Sequence, residues 1–513
     1  MRFELKNHLT EPEIEQGLKV VIKDGLANQA MITLSGGVFL VAFALQLGAS
    51  NLLIGILAAI PALAQLLQIP AIFIVEKVGN RRKVSFHVTL VSRLFLLVIA
   101  LIPFLFSGKI ALAVLVLALS LNTSIGAVSL CSWNSWMRDL IPQDRLGTFF
   151  SRRMSLSMGL GVILSLAAAA YIDYWSSILP DHGIYAYSLL FAMAWIFGLM
   201  DTYFITRIPE PKMLTRPNNH KFLSHLLEPL KDLNFKRLMT FLGSWNFAVN
   251  LAAPFFTVYM LKRLNLDISY VIGLTVLSQI MNVVFLRIWG RYSDRFSNKS
   301  VLGISGPLFM VSILAWTFTT MPSTHFLTIP LLVVIHIFMG ISLAGVTLAS
   351  ANIALKLAPK GEATAYLAAS SLVNFLAAGI APILGGRFAD FFSKREFSWT
   401  MAWNSPNGNV IFQPLNFQSW DFFFFFAFVI GLYSMHRLAL VREEGEVTES
   451  ILIHEIIGMF RRPIRNFSTA GGLRFLMQHP LTAFRHRSNL RRNPPEMSRT
   501  DGGPERRGPT EQD

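Results

Sequence analysis

The chain has 513 residues, of which 53% are hydrophobic and only 15% are charged, and its mean hydropathy is +0.49. Soluble domains average about 25% charged residues, so this composition excludes an ordinary soluble domain and indicates a membrane protein. The formal charge of +15 lies in loops and in a C-terminal tail, which favours anionic lipid as the partner and not nucleic acid.

A polar segment over residues 1–23 opens the chain. It shows no cleavable signal sequence, and Thr10-Glu11-Pro12-Glu13 has the pattern of a helix start. We interpret it as a short amphipathic helix on the membrane surface or as a disordered segment.

Apolar runs follow, each near the roughly 20 residues that a membrane-spanning helix needs. Twelve such runs lie at 25–47, 51–75, 84–106, 110–132, 153–175, 183–206, 238–260, 269–289, 300–320, 328–353, 363–391 and 420–440. They predict an all-α membrane protein with twelve transmembrane helices.

The Lys and Arg residues predict the orientation, because positively charged loops stay in the cytoplasm. With the N-terminus inside, the inside flanks before the tail hold 25 Lys and Arg residues. The outside flanks hold five, which are Lys109, Lys262, Arg263, Lys394 and Arg395. We therefore expect a multi-pass protein with both termini in the cytoplasm, and the compact loops are typical of a bacterial inner (plasma) membrane.

The outer loop over residues 392–419 is long and contains Trp399 and Trp403. Tryptophan is enriched at membrane interfaces, so this loop is either an interfacial anchor or a lid over the outer mouth.

Two charged turns repeat at a nearly constant spacing. The turn from Gly290 to Lys299 aligns with the turn over residues 76–83 at a shift of 218, and Lys356–Lys360 aligns with Asp139–Gln143 at a shift of 217. Such a repeat indicates a chain built from two copies of one helical bundle.

The second turn resembles the signature turn of the major facilitator superfamily, roughly Gly-x-x-x-Asp-Arg-x-Gly-Arg-Arg. The matching residues are Gly290, Asp294, Arg295 and Lys299. The first copy keeps Gly79, Arg81 and Arg82, but Glu76-Lys77 replace Asp-Arg. Trp136–Gly147 resembles the loop between the fourth and fifth helices of many bacterial members. The resemblance covers about residues 24–440.

This resemblance implies two six-helix pseudo-repeats with a linker between them. The expected segments are an N-terminal cytoplasmic segment (1–23), a first bundle (24–206), a linker (207–237), a second bundle (238–440) and a basic amphipathic to disordered tail (441–513). Arginines without acidic neighbours over 461–492 favour contact of the tail with anionic lipid.

The resemblance also assigns a role to the signature turns. Their acidic residues would contact helix starts of the opposite half in the outward-open state alone. Glu76 would lie near Gly361–Ala365, with Arg138 as an ionic partner, and Asp294 would lie near Gly147–Phe150. The alternative interpretation is that the charged residues of the turns only end helices and follow the positive-inside rule. The residues predicted in these turns are Glu76, Lys77, Gly79, Arg81, Arg138, Gly290, Asp294 and Arg295.

In this superfamily the first, fourth, seventh and tenth helices line the central cavity. Polar residues fall in those runs, and they should point inward because polar groups facing lipid are costly. The candidates for the substrate path are Asn28, Gln29, Asn122, Thr123, Trp245, Asn246, Asn250 and His336. Hydrogen bonding between helices is the alternative role.

No Asp or Glu lies at the centre of these four runs, so the coupling ion stays open between a proton and sodium. The nearest acids are Asp24 and Asp201, and His336 is the other titratable candidate. Arg93 lies mid-run in the third helix, where an unpaired charge would be expensive, so we predict an ion pair with Asp201.

Taken together, these features predict a secondary active transporter that moves a small, neutral or amphiphilic organic solute by alternating access. No sequence motif indicates an enzyme, a cofactor or a metal site. The alternative is a non-transporting membrane receptor or scaffold that keeps this fold and signals through its tail.

Overall fold

The computed structural model describes residues 9–142, 145–213, 228–320, 324–359, 363–405 and 408–443. The tail from residue 444 onward, most of the linker and the predicted helix start at Gly361 lie outside these residues.

Fourteen α-helices and one β-hairpin make up the described part of the chain. The helices are α1 (Glu11–Ser35), α2 (Gly37–Gln46), α3 (Asn51–Ala64), α4 (Gln68–Val78), α5 (Arg81–Leu105), α6 (Gly108–Leu140), α7 (Leu146–Ile178), α8 (Gly183–Ile205), α9 (Leu233–Lys262), α10 (Ile268–Arg295), α11 (Asn298–Ala315), α12 (Thr328–Lys356), α13 (Ala363–Phe392) and α14 (Trp420–Ala439). We refer to α1–α8 as the first group and to α9–α14 as the second group.

Two of the predicted runs are each split between two helices. Residues 11–46 form α1 and α2, which meet at Gly36-Gly37, where Gly37 has a φ of +53° that favours glycine. Residues 51–78 form α3 and α4, joined by a single 3₁₀ turn at Gln65–Leu67.

Eleven stretches of the described chain are long and apolar enough to cross a membrane. They account for eleven of the twelve predicted runs. The remaining run corresponds to α9, which has 30 residues but carries Asn246 and Asn250 along its middle and is less apolar. The architecture is that of an all-α membrane protein, as predicted.

The loop between α13 and α14 is ordered as a β-hairpin, which the sequence analysis did not predict. Strand β1 (Glu396–Ser405) pairs antiparallel with β2 (Gly408–Gln418), and Glu396 lies opposite Gln418. We call this side of the bundle the hairpin end, and the side with the two signature turns the turn end.

Both signature turns join consecutive helices in the same way. In the first, α4 ends at Gly79, whose φ is +64°, and the Asn80 side chain accepts a hydrogen bond from the Lys83 N–H at the start of α5. In the second, the Ser297 hydroxyl accepts a hydrogen bond from the Ser300 N–H at the start of α11. The residue types therefore fix two equivalent helix–turn–helix corners.

The two groups meet most closely where α3 packs against α13. A Cβ atom added at Gly55 would overlap the carbonyl oxygen of Pro382, and one added at Gly386 would overlap that of Asn51. Backbone contact of this kind requires glycine. The same seam reaches Gly379, where an added Cβ atom would overlap the Leu63 side chain.

Candidate functional site: helix caps, ion network and transport path

Two carboxylates cap helices across the boundary between the groups at the hairpin end. Asp173 of α7 accepts hydrogen bonds from the backbone N–H groups of Ile268 (3.3 Å) and Ser269 (2.9 Å) at the start of α10. Asp390 of α13 accepts hydrogen bonds from those of Asn51 (3.1 Å) and Leu52 (2.9 Å) at the start of α3.

These two caps are related by the internal repeat. The fifth span of the first group caps the second span of the second, and the fifth span of the second group caps the second span of the first. The first N–H groups of a helix have no partner within the helix and carry the positive end of its dipole. Each carboxylate therefore supplies an acceptor to N–H groups that would otherwise have none. Together the two carboxylates close the hairpin end.

The acidic residues of the signature turns are in a different situation at the turn end. Glu76 and Asp294 are both exposed, and within the described part of the chain neither makes a hydrogen bond or an ion pair. An added Cβ atom at Gly147, near the predicted partner of Asp294, would meet nothing within 4 Å. The two groups are thus joined by caps at the hairpin end, whereas Glu76 and Asp294 make no such contact within the described residues, and part of the helix start predicted for Glu76 lies outside them.

Arg81, in the first signature turn, is fully buried and is the centre of a polar network. Its guanidinium donates to the carbonyl oxygens of Ser135 (3.0 Å) and Pro211 (2.8 Å) and forms an ion pair with Asp139. Glu210, which follows α8, accepts the backbone N–H of Arg81 at 2.6 Å. The predicted turn residue therefore fixes the first group internally.

The second group has an equivalent carboxylate. Glu443, after α14, accepts the Lys299 backbone N–H at 2.7 Å and the Asn298 amide at 2.8 Å, and it forms an ion pair with Lys356 at 3.0 Å. The sequence analysis missed Glu210 and Glu443 because they are 233 residues apart, whereas the turns are 217 or 218 apart. The signal that could have found them is a glutamate directly after the last helix of each copy.

The other signature-turn residues have simple surroundings. Lys77 is exposed, Gly79 ends α4, and Gly290 lies inside α10 with space beside it. The guanidinium of Arg295 lies over the ring of Phe296, 5.1 Å from its centroid. These residues form the corners of the two turns.

A network of four charged residues lies inside the first group, with two buried carboxylates and two partly buried arginines. Arg93 and Asp201 form the predicted ion pair, with 2.8 Å between Nη2 and Oδ2. Arg153 of α7 lies 3.6 Å from Asp24 Oδ2, and Asp201 is another charged group beside Asp24. The other oxygen of Asp24, Oδ1, is buried and receives no hydrogen bond.

Two glycines make the space for these arginines. A Cβ atom at Gly25 would overlap the guanidinium of Arg153, and one at Gly198 would lie 2.8 Å from Cδ of Arg93. Because each glycine lies within three residues of one of the carboxylates, α1 and α8 can approach the arginine side chains closely. The sequence predicted the Arg93 pair but missed Arg153.

The polar candidates of the first group mostly bind neighbouring residues. Asn28 accepts a hydrogen bond from Arg93 at 3.4 Å, and Gln29 donates to Thr33 at 3.1 Å. Asn122 accepts the Ser92 hydroxyl at 2.9 Å, which joins α6 to α5. Thr123 donates to a carbonyl of its own helix.

The candidates of the second group separate into two places. Asn246 donates to Asn374 of α13 at 2.9 Å, and Asn250 donates to the Asn246 carbonyl at 2.8 Å. Trp245 instead packs in the buried core, with its ring 5.7 Å from that of Phe309. The structure therefore brings Asn246 and Asn250 together, and it places Trp245 in the core, away from them.

His336 is also a core residue in this conformation. Its ring nitrogen Nδ1 lies 2.8 Å from the Leu332 carbonyl oxygen, and its ring meets Trp316 edge-on at 5.5 Å. Only 6% of its surface is exposed. The surroundings are those of a hydrogen-bonded core histidine.

Sequence comparison decides the family. A family profile described as Major Facilitator Superfamily matches residues 25–382 and 238–488. The chain belongs to the Major Facilitator Superfamily. A search of curated proteins gave no match.

Solved structures share the superfamily fold at low identity. A structure of a point mutant of the nucleoside transporter NupG is 11% identical with a TM-score of 0.64, covering 84% of this chain and all of its own. A bacterial homolog to the human lysosomal transporter Spinster, inward-facing and unoccupied, is 15% identical with a TM-score of 0.53, covering 75% and 84%. A bacterial metal transporter is 14% identical with a TM-score of 0.54, covering 84% and 98%.

As a member of the Major Facilitator Superfamily, the protein is a membrane transporter and not an enzyme. Its signature turns stand at one end of the bundle, while the caps made by Asp173 and Asp390 close the other. This arrangement separates residues that fix each group, such as Glu210, from residues that join the groups.

We predict that Glu210→Gln lowers stability and that Glu76→Gln does not. The first change removes a buried negative charge from beside Arg81, which costs about 3 kcal/mol, whereas Glu76 is exposed and its change costs at most about 0.5 kcal/mol. Thermal unfolding of both variants in the same detergent measures the difference. Equal unfolding temperatures would contradict the structural role of Glu210.

Proposed function

We propose that the protein is a secondary transporter that moves a small organic solute by alternating access. The observation that carries this proposal is the pair of repeat-related caps at the hairpin end, made by Asp173 and Asp390, while Glu76 and Asp294 are exposed at the turn end. A bundle whose groups are capped against each other at one end, while the acidic residues of its signature turns are exposed at the other, is what one half-cycle of alternating access requires.

In this proposal residues 24–206 and 238–440 are the two moving halves, and residues 207–237 link them. The distribution of Lys and Arg supports a cytoplasmic turn end and an outer hairpin end. The conformation then corresponds to the state closed to the outside. In the opposite state the Asp173 and Asp390 caps open, and Glu76 and Asp294 contact the helix starts of the other half.

The energies involved suit a reversible transition. A hydrogen bond to a charged group contributes about 1.5–3 kcal/mol, so the two caps stabilise the closed end by only a few times this amount. A solute that binds the two states differently by several kcal/mol can shift such an equilibrium. Hydrogen bonds at helix starts are therefore strong enough to close the end and weak enough to open.

A neutral or amphiphilic organic solute fits the middle of the bundle. Between Leu238 and Leu261 in α9, and between Thr328 and Leu355 in α12, the chain has no Asp, Glu, Lys or Arg. The joined amides of Asn246 and Asn374 offer hydrogen-bond donors and acceptors without net charge. Nucleosides belong in the test set, because a nucleoside transporter shares the fold.

We predict solute exchange in proteoliposomes that depends on the α3–α13 seam. Vesicles containing the purified protein are loaded with a mixture of neutral and amphiphilic solutes that includes nucleosides, and exchange is followed by mass spectrometry. Gly55→Leu should lower exchange at least about tenfold, because its side chain overlaps the Pro382 carbonyl oxygen and prevents closure. Gly159→Leu is the matched control, since nothing lies within 4 Å of an added Cβ atom there.

Two results would contradict this proposal. Exchange by the Gly55→Leu variant at the wild-type rate would show that closure of the seam is not needed. Absence of exchange by the wild type, together with loss of a cellular function on deletion of residues 461–513, would support the scaffold alternative.

We further propose that a proton is the coupling ion and that Asp24 binds it. A buried carboxylate with one distant cation and an oxygen without a donor is costly in a membrane protein. A proton removes that cost and permits a hydrogen bond to Asp201. The charged groups around Asp24 are Asp201, Arg153 and Arg93, and Arg153 shares α7 with the cap residue Asp173.

We predict that Asp24→Asn abolishes accumulation of the identified solute driven by a pH gradient but retains exchange without a gradient. Asparagine mimics the protonated carboxyl group, so the transport cycle proceeds without release of a proton. Asp181→Asn, at an exposed acid, is the control and should retain accumulation. Accumulation driven by a sodium gradient, or by a pH gradient in the Asp24→Asn variant, would exclude this assignment.

A further inference from the structure

A cavity of about 410 Å³ lies at the hairpin end, beneath the base of the β-hairpin. It is formed by the last residues of α9, the residues after α13, the hairpin stem, and the first residues of α14 and α3. Its lining residues with polar or charged side chains include Asn51, Lys262, Arg263, Lys394, Arg395 and Glu396. A volume of this size accommodates a small ligand or a lipid headgroup.

The charge of this cavity is unusual for its position. The sequence places only five Lys and Arg residues on the flanks predicted to face outward, and four of them line this cavity. The fifth, Lys109, is elsewhere. Within the described residues no carboxylate forms an ion pair with Lys262 or Lys394, and the only acidic side chain in the lining is Glu396. The cavity is therefore suited to an anion.

The face of the hairpin opposite to Glu396 and Gln418, which line the cavity, is apolar and exposed. Phe397 and Trp399 are 56% and 59% exposed and lie two residues apart on β1, so they share one face. Phe417 is the cross-strand partner of Phe397, and its ring lies 5.7 Å from that of Phe425, an exposed residue of α14. The apolar face of the hairpin thus continues into the surface that a spanning helix presents to lipid.

The stem of the hairpin is held in position over the cavity. Arg263 donates a hydrogen bond to Gln418 at 3.0 Å, and the Ser419 N–H donates to the Arg395 carbonyl at 3.2 Å. Ser419 has a φ of +47°, which is uncommon for a residue other than glycine. The guanidinium of Arg395 lies over the ring of Phe391, an exposed residue at the end of α13. Cationic groups and apolar surface are therefore fixed side by side.

We propose that this cavity binds the phosphate of an anionic phospholipid from the leaflet at the hairpin end. The four cationic side chains surround the headgroup, and the acyl chains lie along the exposed phenylalanines of α13 and α14. A free phosphate ion shares the charge chemistry of the headgroup, but it makes no use of the adjoining apolar surface. This site is separate from the lipid contact predicted for the basic tail.

Binding at this site is linked to the state of the bundle. Asn51 lines the cavity, and its backbone N–H donates to Asp390 in the cap that joins α3 to α13. Separation of α3 from α13 removes Asn51 from the cavity and leaves it incomplete. A bound phospholipid therefore stabilises the closed hairpin end, because it binds the complete cavity more tightly.

The test compares lipid retention by the full-length protein in nanodiscs made of equal amounts of phosphatidylcholine and phosphatidylglycerol. Native mass spectrometry of the protein after release into detergent counts the phosphatidylglycerol that remains bound. Lys262→Gln/Lys394→Gln should weaken this binding roughly 30-fold, since each cation contributes about one factor of five near a membrane surface. Lys109→Gln is the matched control and should bind as the wild type does.

Three results would overturn the proposal. The double variant could retain phosphatidylglycerol as the wild type does, or Lys109→Gln could lose it to the same extent. The third result is an effect of inorganic phosphate on protein in phosphatidylcholine nanodiscs. Phosphate would raise the unfolding temperature of the wild type but not of the double variant, and phosphatidylglycerol would have no such effect. That outcome assigns the cavity to a soluble anion.

Discussion

A carboxylate placed against the first N–H groups of a helix is the interaction on which this structure depends. Between residues far apart in the sequence it occurs at Asp173, Glu210, Asp390 and Glu443, and Asp232 makes the same contact locally at the start of α9. These N–H groups have no partner within their own helix, and the positive end of the helix dipole adds to their attraction for an anion. The burial of each carboxylate decides what it does. Glu210 and Glu443 are buried within one group, whereas Asp173 and Asp390 are partly exposed at the boundary between groups.

Glu210 and Glu443 therefore have a different role from Asp173 and Asp390. Breaking the cap at Glu210 would leave Arg81 buried with fewer partners, so we expect this interaction to be kept in every conformation of the folded protein. Breaking the cap at Asp390 exposes both partners to water at the membrane surface, which costs less. The same chemistry thus fits the proposed mechanism, in which each half stays rigid and the closure between the halves opens.

The sequence predicted those parts of the structure that depend on local pattern. Hydropathy located the spans, the spacing of the charged turns revealed the repeat, and the cost of an unpaired charge in Arg93 pointed to Asp201. Long-range partners were missed, because Arg81 and Glu210 are 129 residues apart and nothing in the local pattern connects them. Trp245 was grouped with Asn246 by sequence proximity, but adjacent residues on a helix point in different directions. The hairpin had a local signal that was overlooked, since Asn407-Gly408 is a favoured hairpin turn.

We propose that the caps at the hairpin end open and close while the halves stay intact. The single cysteine, Cys131, allows labelling at chosen sites in a Cys131→Ser background. Spin labels at Tyr174 and Tyr270, both exposed and each close in sequence to one side of the Asp173 cap, report the distance across it. We expect a short and a long distance in the same sample, with the long one enriched by Asp173→Asn/Asp390→Asn. A single short distance that neither variant nor solute changes would contradict it.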